Sequence, residues 1–249
     1  VTLILTLHDR VELVPYVLRY YTRMGVTRIV YALCNGIRHP VYAQVAALSG
    51  ALDWHVRPTV LCSESDYAYS ETDGLNEIRR EFVEPEEWYV LADADEFHYY
   101  DGKSLAEAAA MAERAGFRCV QGEFRDRFAA DGALPVIQPE RTLDEQFPTM
   151  TQFTRWMGAC YLKVSLCQGG LPIRSGHHEC DEVSFPFGYT HHFKWVSGIK
   201  EILKSRHERQ LAAHINWAWE QAKALSLLET PDYLSDPKCK SEPASQIGV

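Results

Sequence analysis

An apolar run that ends in three acids, Trp88-Tyr89-Val90-Leu91-Ala92-Asp93-Ala94-Asp95-Glu96-Phe97, is the segment of this chain best suited to chemistry. Tyr89 to Ala92 reads as a buried strand. Carboxylates crowded at its end repel one another and lose hydration, so something must compensate for them. The usual compensator is a divalent cation. Mg²⁺ and Mn²⁺ take one or two carboxylates and fill the remaining positions with substrate phosphates and waters. The segment therefore reads as a metal–diphosphate site. The alternative is an acidic turn that caps the next helix.

The flanking sequence says how such a site would be positioned. Val1–Leu7, Thr27–Leu33, Leu52–Val56, Trp88–Ala92 and Arg118–Phe124 have the composition of strands. Between them, Glu12–Met24, Val41–Leu48, Asp66–Phe82 and Ser104–Ala115 have helical spacing, the last with Ser104 and Glu107 as a capping box. Strands alternating with helices over about 125 residues predict βαβ units and a parallel sheet. Ligands of such sheets sit at the carboxyl ends of the strands. Three polar clusters fall there: His8-Asp9-Arg10, Cys34-Asn35-Gly36 and Asp93-Ala94-Asp95-Glu96. Residues 129–150 are loop-rich, 151–195 read as short strands with Gly-rich turns, and 197–228 are helical. The polar tail from Thr230 carries three prolines and is expected to be poorly ordered. The expected class is α/β, with one domain over 1–229, a nucleotide-binding half (1–125), a substrate-shaping half (126–229) and a tail (230–249).

Bulk composition narrows the function classes. The 249 residues are 46% hydrophobic, enough for a sizeable core, and carry a formal net charge of −9. That charge argues against a nucleic-acid binder, which would present a basic face. The seven cysteines are odd in number and include no Cys-x-x-Cys pair, which suggests neither a disulfide framework nor a zinc site. His177-His178 with Cys180 lacks a second pair at zinc spacing. A reducing cytoplasm fits this usage. No stretch approaches the ~18 apolar residues of a membrane span, and no signal peptide is visible. Val1 already lies in a strand-like run, as it would in a trimmed chain.

On these residues the chain resembles glycosyltransferases of the GT-A fold, in particular family 2-like enzymes related to the family 92 proteins. The resemblance runs over about residues 3–210. It is carried by Leu7-His8-Asp9-Arg10, Met24-Gly25-Val26-Thr27-Arg28-Ile29-Val30, Asn35-Gly36, Asn76, Asp93-Ala94-Asp95-Glu96-Phe97 and His191-His192-Phe193-Lys194-Trp195. It implies a nucleotide-sugar donor, by default a uridine diphosphate sugar, bound in the first half with Mn²⁺ or Mg²⁺, and a hydroxyl acceptor shaped by the second. By the same resemblance Asp95 coordinates the metal, Asp93 approaches it or the ribose beside Ala94, and a late histidine completes the set. His191 and His192 point to opposite faces of a strand, and His192 is favoured. His8, Asp9, Asn35 and Asn76 are expected to line the nucleotide, and Lys194 to neutralise the departing diphosphate. Family members often carry Asn-Glu where this chain has Asp9-Arg10, and an Asp-rich turn where it has Cys34-Asn35-Gly36.

Glycosyl transfer with inversion also needs a group that deprotonates the acceptor hydroxyl. Glu179 and Asp181, in Ser175-Gly176-His177-His178-Glu179-Cys180-Asp181-Glu182, are ranked first, followed by Asp126 and then His178. Asp126 is flanked by Arg125 and Arg127, which would depress its pKa and weaken it as a base. Two rival readings remain. Nucleotidyl transfer also uses strand-end acids, but His8-Asp9-Arg10 is a poor phosphate loop. A catalytically degenerate scaffold or binding subunit would keep the fold without the chemistry.

Overall fold

The computed structural model describes residues 1–7, 11–33, 53–58 and 67–249. In chain order among these, the elements begin with β1 (Thr2–Leu7), α1 (Val14–Arg23), β2 (Arg28–Leu33), β3 (Asp53–Pro58), α2 (Tyr67–Phe82), β4 (Trp88–Asp93), β5 (Glu96–Tyr99), α3 (Leu105–Arg114) and β6 (Cys119–Phe128). They continue with α4 (Leu143–Gln146), β7 (Thr149–Thr151), α5 (Phe153–Met157), β8 (Leu162–Gln168), β9 (Phe185–His192), α6 (Ile199–Ala212), α7 (Trp219–Leu228) and β10 (Glu242–Pro243). The chain forms two compact units. Among the described residues, the first holds 1–7, 11–33, 53–58, Tyr67–Glu123 and Leu162–Thr190; the second holds Phe124–Tyr161 and His191–Val249.

The first unit has the α/β class expected from sequence. Its parallel core is β3-β2-β1-β4, with Ile4 opposite Val30 on one side and Leu91 on the other. All six residues of β1 are buried, which is what a central strand covered on both faces requires. Leu75 and Ile78 of α2 pack with Ile4, Val30, Tyr89 and Leu91 into one apolar cluster. Each such side chain stabilises the fold by roughly 1.5–3 kcal/mol. Helix α1 buries Val17, Tyr20 and Tyr21. Its two tyrosine hydroxyls donate to the β5 backbone, Tyr20 to His98 O at 2.7 Å and Tyr21 to Glu96 O at 3.1 Å. The capping box of α3 forms as expected, with Ser104 N–H donating to the Glu107 carboxylate at 2.8 Å.

The expectation that Arg118–Phe124 joins the parallel set is corrected. The observed strand, β6, pairs antiparallel with β8, and β8 pairs antiparallel with β4. A later strand has been inserted between two earlier ones. β6 therefore keeps the direction of β4 but meets an antiparallel neighbour, and alternation of strands and helices carries no information about such an insertion. The turn that leaves β8 passes so close to the β4 approach that a Cβ on Gly169 would lie 2.1 Å from Glu84 O. Glycine is required there by contact. At Gly188 of β9 it is required by both contact and conformation, since φ is +73° and a Cβ would lie 2.2 Å from Tyr99 O.

The second unit is built around aromatic rings. Phe128, Phe153, Trp195 and Tyr233 pack with Ile199 and Leu203 of α6 and Leu227 and Leu228 of α7. Phe128 and Trp195 stack at 5.6 Å. The tail departs from its expected disorder. β10 pairs antiparallel with β7, Asp144 accepts the N–H groups of Ile247 and Gly248 at 2.9 and 2.7 Å, and Ile247 and Val249 are buried. Polar composition predicts a loose tail only where the core supplies no partners. Here Asp144, Leu143 N–H and the fully buried Arg127 supply them, the last donating to Ser245 O at 3.2 Å.

Candidate active site

The three acids sit where sequence puts them, at the carboxyl end of a parallel strand. They do not cap a helix, because Ala94 and Asp95 form a two-residue turn straight into β5. Asp93 and Asp95 are half-buried, whereas Ala94 and Glu96 are buried beneath the turn. Each acid is held differently. Asp93 Oδ1 accepts the Thr6 hydroxyl from the neighbouring strand β1. Glu96 Oε2 accepts the backbone N–H of Asp93 at 3.1 Å, closing the turn. Glu96 Oε1 pairs with Lys163 Nζ at 2.8 Å, with both side chains about 3% exposed.

Lys163 is the compensator that sequence reasoning missed. Burial alone would lower its pKa, but the charges of Glu96, Asp93 and Asp95 outweigh burial and raise it, so it stays an ammonium. A signal was available in β8, Leu162–Gln168, where Lys163 is the single charged residue of the strand. The lysine cancels one of three negative charges, leaving a net charge of −2 on the turn. Among the described residues no group of three or more His, Cys, Asp and Glu side chains is arranged to hold a metal ion. Among the described residues the donor set is therefore not an all-protein cage. Two half-buried carboxylates at a strand end do fit Mg²⁺ or Mn²⁺, which leave most positions to phosphate and water.

Beside this turn lies the 3-10 turn Ser175–His177, where Lys163 Nζ also donates to Gly176 O at 3.4 Å. His177 is buried with φ +57°, and its Nδ1 has no hydrogen-bond partner among the described residues. Burial, then the Lys163 charge, holds its pKa well below the usual histidine value, so it is neutral. The loop beyond it carries three of the proposed bases. Glu179 lines a small cavity with Arg174, His177 and Cys180. Asp181 is ion-paired with Arg174 at the surface. His178 Nδ1 contacts Leu162 O at 2.6 Å.

In the second unit, sequence-adjacent His191 and His192 diverge as a strand requires. His191 Nδ1 meets Arg127 Nη1 at 3.1 Å, and burial with that cation keeps the imidazole neutral. His192 stacks on Phe124 at 4.6 Å and places Nδ1 3.0 Å from Asp126 Oδ1. Asp126 is fully buried and also accepts Trp195 Nε1–H at 2.8 Å, the Thr154 hydroxyl at 2.8 Å and Thr154 N–H at 2.6 Å. Burial pushes its pKa up, but His192 and these donors together bring it below the ordinary carboxylate value. A carboxylate so satisfied is a poor proton acceptor. It acts instead as an orienter, since an Nδ1–H donated to Asp126 leaves the lone pair of His192 on Nε2.

Other expected ligands have structural occupations. Asn76 donates to Thr72 O at 3.0 Å and Ile173 O at 2.9 Å, and accepts Ile173 N–H at 2.9 Å. Its amide is spent on tying α2 to residue 173, and its neighbour Arg79 donates to Gly169 O. Lys194 Nζ lies 5.5 Å from the Trp195 ring centre. His8, Asp9 and Asn35 lie outside the described residues, as does the predicted helix Val41–Leu48.

No protein-family model matches the chain, and no curated protein sequence matches it. Solved structures similar to it include HddC from Yersinia pseudotuberculosis, 8% identical, with 83% of this chain and 98% of that chain covered at a TM-score of 0.39. Another is the inositol-1-phosphate CTP transferase from T. maritima, 10% identical, with 84% and 96% covered at a TM-score of 0.35. At that level of similarity the chemistry has to be read from the chain's own residues.

Proposed function

We propose that this chain is a metal-dependent glycosyltransferase that moves a sugar, with inversion, from a nucleotide diphosphate donor to a hydroxyl acceptor, with a uridine diphosphate sugar as the favoured donor. The observation that carries the reading is the Asp93–Asp95 pair, held at a parallel strand end by Thr6 and by the Glu96–Lys163 ion pair. Asp95 and Asp93 would hold Mn²⁺ or Mg²⁺, which when bound supplies Lewis-acid stabilisation of the leaving diphosphate. Lys163 keeps the turn from carrying its full charge when no cation is bound. Glu179 is the preferred base, because Asp181 is paired with Arg174 and Asp126 is satisfied by its four donors. It would take the proton of the acceptor hydroxyl as that oxygen forms its bond to the anomeric carbon.

Product analysis tests the reading. Incubation with a panel of nucleotide sugars and Mn²⁺ should release a nucleoside diphosphate and, with acceptor, a glycoside of inverted configuration. Release of inorganic pyrophosphate from a nucleoside triphosphate and a sugar phosphate would replace it with nucleotidyl transfer. Turnover of no donor would point to the scaffold reading.

A further inference from the structure

Three thiols meet in the first unit. Cys119 of β6 and Cys167 of β8 lie directly opposite one another across their antiparallel pairing, and both are buried in the apolar cluster around Ile4 and Leu91. Cys180, half-buried in the loop before β9, packs against the same cluster and shares a small cavity with Cys167, His177 and Arg174. Cys119 Sγ also lies 3.2 Å from Ser184 Oγ, in the loop that carries Cys180. A buried cysteine by itself is a small apolar filler. Three packed around one cluster, two of them lining one cavity, are placed for thiol chemistry.

We propose that Cys180 is a redox modification site: a hydroperoxide oxidises it, and Cys167 resolves the product into a Cys167–Cys180 disulfide that fastens the 174–184 loop to β8. Cys180 is the half-buried member and lines the cavity, so a peroxide reaches it first, whereas Cys167 is buried behind it and resolves the product. The neighbouring thiols Cys119 and Cys167 also hold the Cys180 pKa below the usual thiol value, against the opposing effect of burial. In the first step the Cys180 thiolate attacks the peroxide, the O–O bond breaks, and a sulfenic acid and hydroxide form. In the second, the Cys167 sulfur displaces the sulfenic oxygen as water and its thiol proton is lost with it. Two sulfurs are oxidised by one peroxide. The loop so fastened carries His178, Glu179 and Asp181, but the proposal does not depend on their being catalytic.

The test is peptide mapping of the full chain after brief exposure to hydrogen peroxide, with thiol-blocking before digestion. The expected result is a Cys167–Cys180 peptide short by two hydrogens and restored by dithiothreitol. Cys167→Ala should leave Cys180 as a sulfenic acid trapped by dimedone, and Cys180→Ala should abolish both species. A map in which exposed Cys160 oxidises while Cys180 is alkylated in full would overturn the proposal. So would a disulfide that excludes Cys180. The wild-type map needs no variant, so a misfolded substitution does not blunt the test.

Discussion

Lys163→Met should destabilise the first unit by about 3–5 kcal/mol, the range found when one partner of a buried ion pair is removed. Lys163 Nζ and Glu96 Oε1 are 2.8 Å apart, and an effective dielectric of about 20 gives an attraction of about 6 kcal/mol at that distance. Desolvation of the two buried ions takes back several kcal/mol for each, so the intact pair has a small net worth. Removing only the lysine forfeits the attraction while leaving Glu96 buried beside Asp93 and Asp95. Glu96 is then left to repel both neighbours or to take a proton. Lys163→Met with Glu96→Gln should therefore recover more than half of the loss, since glutamine still accepts the Asp93 N–H. Urea unfolding of the four proteins measures this as a coupling energy in a double-mutant cycle. The reasoning is refuted if Lys163→Met costs less than about 1 kcal/mol, or if the two substitutions simply add.

Other predictions follow from the same contacts. His98 is buried with its pKa lowered by burial to about 3 from 6.5, so the unfolded chain takes up a proton that the folded chain refuses as pH falls between those values. Stability should fall in that window by up to about 1.4 kcal/mol per pH unit for this group, and His98→Gln should flatten the slope by one proton in unfolding measured against pH. Asp126 has the ordinary carboxylate sign, with its folded pKa below 3.8, so its contribution is present above 3.8 and lost as pH falls through the lower folded value. Asp126→Asn, which takes the buried charge from among four donors, should cost about 1–3 kcal/mol in urea unfolding. Gly169→Ala, whose Cβ would meet Glu84 O, should cost about 1–3 kcal/mol in thermal unfolding.

Much of the first half was legible because its signals are local. The apolar runs became β1, β2 and β4, helical spacing became α1 and α2, and the Ser104–Glu107 box marked the start of α3. The acidic strand end was equally local, since a run of apolar residues broken by Asp93 and Asp95 announces itself. What escaped was non-local. Lys163 is 67 positions beyond Glu96 and reaches it only because β8 is inserted antiparallel beside β4. The same insertion parts β6 from the parallel set, although β6 still runs in the direction of β4. Asp126 looked like an ion-pair partner of its arginine neighbours, but in a strand adjacent residues face opposite ways. Its partners are instead His192, Trp195 and Thr154, and Arg127 turns to Asp144 and His191. Asn76 was read as a nucleotide contact for its polarity, and its polarity is consumed by the backbone of Ile173.

Calorimetric titration with uridine diphosphate, with and without Mn²⁺, on the wild type and on Asp95→Ala tests the central claim most directly. The account predicts binding that requires Mn²⁺ and weakens by at least about tenfold, or 1.4 kcal/mol, in the variant, while the variant's unfolding transition is unchanged. Binding of equal strength in both proteins, or binding indifferent to Mn²⁺, would contradict it, because Asp95 would then not be holding a cation against a diphosphate.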